Sequence, residues 1–432
     1  MTERGLSELY AADPLHADEL VFGRRTGLSR RGFLKGAGLS AMAAALGGWV
    51  PFHHLMPAGL IPAAFAERTE PFEIEGKDGL VLLNDRPLNA ETPPHLLADL
   101  VTPVRHHFIR NNGIPPADVV AEQWRLRIVG AVNQPLTLSI DDLKREFDVV
   151  EMALQIECGG NGRASFNPAA SGNQWTLGAI GNSRWRGVRL ADVLTRAEVK
   201  ASATYTGHLG ADRHLSGDVS KQPLSRGVPI EKAMQHNVLL AFEQNGEPIH
   251  PHNGAPLRLV VPGWPGSCSQ KWLTEIHLSD DVWRGAKMAP PAYSVPDYAP
   301  LPGEPISKDR FRTIESMPVK SLIATPRNGV RHTTLTGALP VAGHAWAGDR
   351  GVSRVEVSID FGATWLPTRL DPPPNAGSWQ AWRAAIHFPT VGYFEVWARA
   401  IDEAGVQQPF AVAWNPKGYL NNAMHRVAVL VA

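Results

Sequence analysis

Between Val150 and Cys158 the even positions are apolar and the odd ones mostly polar, the two-residue period of a strand with one buried face. That period puts Cys158 on the same side as Met152, Leu154 and Ile156, and the strand runs directly into the loop Gly159-Gly160-Asn161-Gly162. Glycines there permit positive φ and close approach of a ligand to the backbone. Trp124 to Gly130 alternates in the same way and predicts a half-buried strand. Val238–Phe242 and Leu257–Val261 are apolar runs expected to be buried strands, and Leu190, Val193 and Leu194 have helical spacing within Arg186–Arg196. Residues 67–110, broken by Pro87, Pro93, Pro94 and Pro103, are expected to be loop-like.

Six prolines between Pro290 and Pro305 prevent regular structure over 289–305 and mark a boundary. Beyond it, strand patterns at Val355–Asp360 and Phe394–Ala400, with the turn-rich Asp371–Asn375 between them, predict an immunoglobulin-like β-sandwich without an inter-sheet disulfide. The expected organisation is a leader over 1–66, a first domain over 67–305 and the sandwich over 306–432.

Composition narrows the function. The 432 residues carry 42 basic and 42 acidic side chains, so no global charge draws the chain to nucleic acid or anionic lipid. Any charged ligand must be held by a local cluster. Two cysteines, Cys158 and Cys268, exclude a disulfide framework, a four-cysteine zinc or iron–sulfur site and a CxxCH haem attachment. Near the N-terminus, Ser29-Arg30-Arg31-Gly32-Phe33-Leu34-Lys35 precedes a weakly apolar run, Gly36–Val50, and a small-x-small site at Ala64-Phe65-Ala66. This resembles a twin-arginine export signal, too short and glycine-rich for a stable membrane span, with the mature chain beginning near Glu67. Export of folded protein to the periplasm suits a cofactor inserted before transport.

Read by position alone, Cys158 is a nucleophile, a metal ligand or an inert buried thiol, and single arginines are most often surface ion-pair partners. The neighbouring residues separate these readings. Cys158 to Arg163, Trp175, and Gly178 to Leu190 resemble the core of the sulfite oxidase family of molybdenum enzymes. The resemblance continues upstream at Phe108-Ile109-Arg110-Asn111-Asn112 and downstream at Pro256–Gly263, Lys271-Trp272-Leu273 and Trp414–Val427. Matches in the right order span nearly the whole mature chain.

The resemblance implies an α+β fold, with a mixed α/β molybdopterin-binding domain preceding the sandwich. It implies a molybdopterin cofactor whose metal takes the Cys158 thiolate, with no haem in this chain. Arg110, Arg163 and Trp175 would line an anionic substrate pocket, with Arg426 reaching in from the second domain; forked guanidinium donors suit an anion on general grounds. Arg258 and Lys271 would hold the pterin and its phosphate, with Asn112, Asp212, Asn253 and Ser267 as further polar contacts. Animal and plant members usually carry His where this chain has Asn112 and Asn253. The family's active-site tyrosine is expected about where Met288 stands; the next tyrosine is Tyr293. Within the family the chain most resembles the sulfane dehydrogenase branch. That implies oxidation of sulfane sulfur on a carrier protein during thiosulfate oxidation, with electrons passing to a c-type cytochrome subunit.

The alternatives are a periplasmic sulfite dehydrogenase acting on free sulfite, and an exported binding or assembly protein that has kept the fold without the catalysis. The sandwich could support a homodimer or help dock the cytochrome. His106, His107, His250, His252 and His277 lack the spacing of a strong zinc motif and read as structural. Cys268, beside Ser267, is expected near the pterin pocket or plainly buried.

Overall fold

A computed structural model describes residues 73–117 and 119–432; the expected export signal and cleavage site lie outside the described residues. Residues 73–432 pack as one unit. Two five-stranded sheets organise its first part. In one, Leu239–Gln244 pairs antiparallel with Ile180–Arg189, which pairs along its whole length with Val149–Glu157. In the other, Leu273–Ser279 lies parallel to Leu126–Gly130 and antiparallel to Tyr205–Gly210. Their apolar faces and the short helices Ile140–Glu146 and Leu190–Arg196 close on a core that includes Leu126, Ile128, Leu143, Val193, Leu240 and Ile276. Ser139 caps the first helix, accepting from the Asp142 N–H while the Asp142 carboxylate takes the Ser139 N–H.

The second part is the expected sandwich. A four-stranded sheet built on Lys320–Thr325, Leu339–Trp346 and Gln380–Ile386 faces a five-stranded one built on Val352–Ser358, Gly392–Asp402 and His425–Val431. Val341, Trp382, Val355, Val396 and Val427 fill the space between them. No helix among the described residues is long and apolar enough to cross a membrane.

Three local expectations change. The predicted helix over 186–196 begins only at Leu190; Arg186–Arg189 is strand, because its backbone pairs with neighbours on both sides. Residues 67–110 are not simply loop: Val81–Asp85, Leu88–Glu91 and Ile109–Arg110 form a three-stranded sheet, with Pro87 in the turn rather than in a strand. Within the proline-rich stretch, Ser294–Pro296 pairs with Phe311–Thr313. Alternation along Val149–Glu157 also means something different from a solvent-facing side. Gln155 and Glu157 are buried instead, Glu157 against Lys320 and Trp346 of the sandwich, while along the strand edge the Gln155 N–H donates to Gly377 O.

Candidate active site

The strand Val149–Glu157 delivers Cys158, 6% exposed, to the floor of a cavity. Its backbone is held from both sides: Cys158 N–H donates to Ala179 O, and Cys158 O accepts from Asn161 N–H. The turn that follows needs Gly162, whose φ is +92°. Glu157 fixes the strand end. Its carboxylate accepts from Lys320 Nζ at 2.6 Å, Asn161 Nδ2 at 3.0 Å and Trp346 Nε1 at 2.9 Å, so two of its three partners come from the sandwich.

Asn112, Asp212, Asn253, Arg258, Ser267 and Lys271 line the same cavity as Cys158, and so does Arg110. Arg110 arrives on the short strand Ile109–Arg110. Arg258 is anchored by Asn253 O at 2.6 Å and Ser269 O at 3.2 Å, with its guanidinium over the Trp185 ring. Lys271 Nζ donates to Asn111 Oδ1 and to His252 O at 2.8 Å.

Burial lowers Lys271 well below the usual lysine range and Arg258 to about 9. It raises Asp212 to about 6 despite the nearby Lys271 charge. Arg110 is raised: burial pulls it down, but the acidic groups of Tyr293, Cys158 and Tyr419 outweigh that pull.

The remaining predicted residues stand elsewhere. Arg163 is buried but does not line the cavity. Its Nε donates to Lys417 O at 2.6 Å and its Nη1 to Asn173 O at 2.7 Å, so it ties the cysteine loop to the C-terminal segment. Gly160 and Gly172 leave room for its guanidinium, where a Cβ would collide. Trp175 is fully buried beside the floor, edge-on to Phe108 at 6.5 Å, and its Nε1 has no partner. Arg426 does not reach the cavity within this chain. Its side chain is 56% exposed and pairs with Glu395, because the outer face of the strand His425–Val431 turns it to solvent.

Three residues that sequence reasoning missed or left open also shape the site. Lys77, on the N-terminal arm, donates to Val104 O, His107 O and Asn253 Oδ1 at 2.6, 3.0 and 2.5 Å. Burial, helped by the Arg258 charge, lowers it to about 7. No local pattern in the sequence marks it. Tyr293, with a left-handed φ of +45°, stands in the cavity wall and stacks on Tyr419 at 5.6 Å, whereas Met288 is buried outside that wall. Lys287, also left-handed at +67°, sends its Nζ to Asn112 Oδ1.

Among the histidines, His250 and His252 stack on each other at 5.7 Å, and His250 Nε2 meets Glu75 O. Cys268 is fully buried, 3.9 Å from Arg226 Nη2, and burial raises its thiol.

The cavity's chemistry specifies its guest. Lys77, Arg110, Arg258, Lys271 and Lys287 surround it or lie just behind its wall, against the single carboxylate of Asp212. Asp212 Oδ1, Arg258 Nε, Ser267 Oγ and Gln270 Oε1 are buried without a partner. Buried charges and unpartnered polar atoms cost free energy, so the guest must carry anionic acceptors for the cations, Arg258 Nε and the Ser267 hydroxyl, and N–H or O–H donors for Asp212 Oδ1 and Gln270 Oε1.

Comparisons with known proteins agree with that chemistry. Residues 112–287 match the oxidoreductase molybdopterin binding domain, and residues 311–432 match the Mo-co oxidoreductase dimerisation domain. The chain is 33% identical to sulfite oxidase of Gallus gallus over 364 residues, covering 81% of this chain and 77% of that protein. It is 35% identical to mitochondrial sulfite oxidase of Macaca fascicularis over 373 residues, again 81% of this chain but only 65% of that relative's length. Among solved structures, the sulfane dehydrogenase SoxCD from Paracoccus pantotrophus superposes with a TM-score of 0.66 at 28% identity, covering 87% of this chain and 91% of that one.

Molybdopterin fits the cavity: Arg258, Lys271 and the orphaned polar atoms suit its phosphate and ring, and the Cys158 thiol suits its metal. The cavity, its donor set and the two matched domains place this chain in the sulfite oxidase family of molybdopterin oxidoreductases.

Proposed function

We propose that the chain is the molybdenum subunit of a sulfane dehydrogenase, oxidising sulfane sulfur held on a carrier protein and passing the electrons to a c-type cytochrome subunit in the periplasm. The observation that carries this reading is one cavity holding a single thiol and a surplus of cations. When bound, the cofactor supplies the oxygen-transfer and two-electron chemistry. The protein's share is to present Cys158 at the floor, to hold the cofactor's phosphate and ring through Arg258 and Lys271, and to orient an anionic sulfur group through Arg110.

The sulfane branch is favoured by the likeness to SoxCD, which extends over nearly all of both chains. A second reading, oxidation of free sulfite, is favoured by 33–35% identity to animal sulfite oxidases. An assay of carrier-bound sulfane against free sulfite, with and without a c-type cytochrome, separates them. Turnover of sulfane with the cytochrome and slow oxidation of free sulfite is the expected result. Rapid oxidation of free sulfite with an artificial acceptor favours the second reading, and purified protein without molybdenum or pterin from a cofactor-competent host removes both.

A further inference from the structure

Three donors, Arg110 from the acceptor's own short segment and Lys287 and Tyr293 from one distant stretch, converge on one oxygen in the cavity. Asn112 Oδ1 accepts from Arg110 Nη2 at 2.9 Å, from Lys287 Nζ at 2.8 Å and from Tyr293 OH at 3.3 Å. Because all three partners donate, it is the amide oxygen that faces them. Two carry a positive charge, yet what they meet is a neutral amide, which returns less for each contact than an anion would. Arg110, Asn112 and Tyr293 line the cavity with Cys158, so the convergence point belongs to the reaction site. Lys287 and Tyr293 hold left-handed backbone, a conformation non-glycine residues rarely adopt, and both nonetheless direct their polar ends at the same atom.

We infer that the Asn112 amide is a built-in occupant of an anion subsite formed by Arg110, Lys287 and Tyr293, and that a sulfur oxyanion must displace it to bind. The side chain then sets a threshold. A neutral ligand cannot outcompete an amide already in place, whereas an anion gains two charge-assisted contacts by exchange. Asn112 tunes affinity and selectivity in this way, and Lys287 becomes a specificity residue. The inference rests on the reading of the cavity as a site for anionic sulfur groups.

The test uses inorganic sulfate, which cannot be oxidised further, titrated calorimetrically into the purified holoenzyme. Asn112→Gly should tighten sulfate binding about tenfold, the scale of one recovered charge-assisted contact. Asn112→Asp should weaken it by more than that, since a carboxylate holds the donors permanently. Lys287→Met should weaken it by about tenfold. Unchanged or weaker binding in Asn112→Gly, with molybdenum and pterin content retained, overturns the inference. If Asn112→Gly loses the cofactor, Asn112→Ser, too short to span the gap, takes its place; loss of cofactor in both also overturns it, because Asn112 then serves the pterin. The calorimetry needs no turnover. Holoenzyme inactive on sulfite and sulfane but showing the sulfate pattern would remove the functional reading and leave the subsite, and the reverse result would do the opposite.

Discussion

Lys320 of the sandwich places its ammonium 2.6 Å from the Glu157 carboxylate, one residue before Cys158, with the two side chains 4% and 0% exposed. This ion pair joins the two halves of the molecule directly behind the site floor. A buried pair is a weak net stabiliser, but removing one partner strands the other's charge. Lys320→Met should therefore cost about 3–5 kcal/mol in chemical denaturation. The double variant Lys320→Met/Glu157→Gln should recover most of it, and equal losses in single and double variants would show that the charge is not what matters.

Replacement of Cys158 by Ser should abolish turnover and leave the fold intact, because the change is nearly isosteric at a position held by backbone hydrogen bonds to Ala179 and Asn161. Activity against circular dichroism and thermal midpoint reads this. Wild-type turnover would remove the thiolate assignment.

Lys271→Met should act in opposite directions on cofactor and chain. On the proposed role of Lys271 the variant loses a cation facing the cofactor's phosphate, so pterin content should fall several-fold. The cofactor-free protein should become more stable, since a buried ammonium that burial strongly disfavours is gone. Fluorescence of the released, oxidised pterin and thermal midpoints measure the two effects.

Stability of the cofactor-free protein should rise with pH between about 7 and about 10. Lys77, at about 7, and Lys271 are lowered by burial, so the folded state has released protons that the unfolded chain keeps up to a lysine pKa of about 10.4. The unfolded state binds more protons in that window, which makes the slope positive. Lys77→Met should flatten the slope, and so should phosphate, which favours the charged forms. A flat wild-type profile would contradict the placement of these cations.

Arg426→Gln should leave kcat/KM unchanged and alter stability by less than about 0.5 kcal/mol, as expected for an exposed residue with a weak ion pair. Loss of activity would show that the residue acts on a site outside its own chain.

Much of the site is readable before folding because strands carry a local rule. Two-residue alternation determines that Cys158 faces the apolar side with Leu154 and Ile156, and the structure packs all three into one cluster. Of the residues named between Arg110 and Lys271, eight share a cavity, Arg110, Asn112, Cys158, Asp212, Asn253, Arg258, Ser267 and Lys271, whereas Arg163 and Trp175 do not line it. The same rule misleads at Gln155 and Glu157: polar residues at odd positions suggest solvent, yet the sandwich packs against them. Arg186–Arg189 fails for a related reason, since pairing on both sides overrides helical spacing.

What the sequence determines by itself, then, is the floor of the site, one thiol at a strand end before a glycine turn, and the sandwich that follows the proline-rich stretch. Only the tertiary structure completes the walls. Lys77, Lys287 and Tyr293 meet Asn253 and Asn112 across separations of 175 to 181 residues. It likewise makes Arg163 a tether and leaves Arg426 in solvent. The physical reason is range: side-chain alternation follows from neighbouring backbone, whereas a cavity's charge is set by which distant segments sheet pairing brings together.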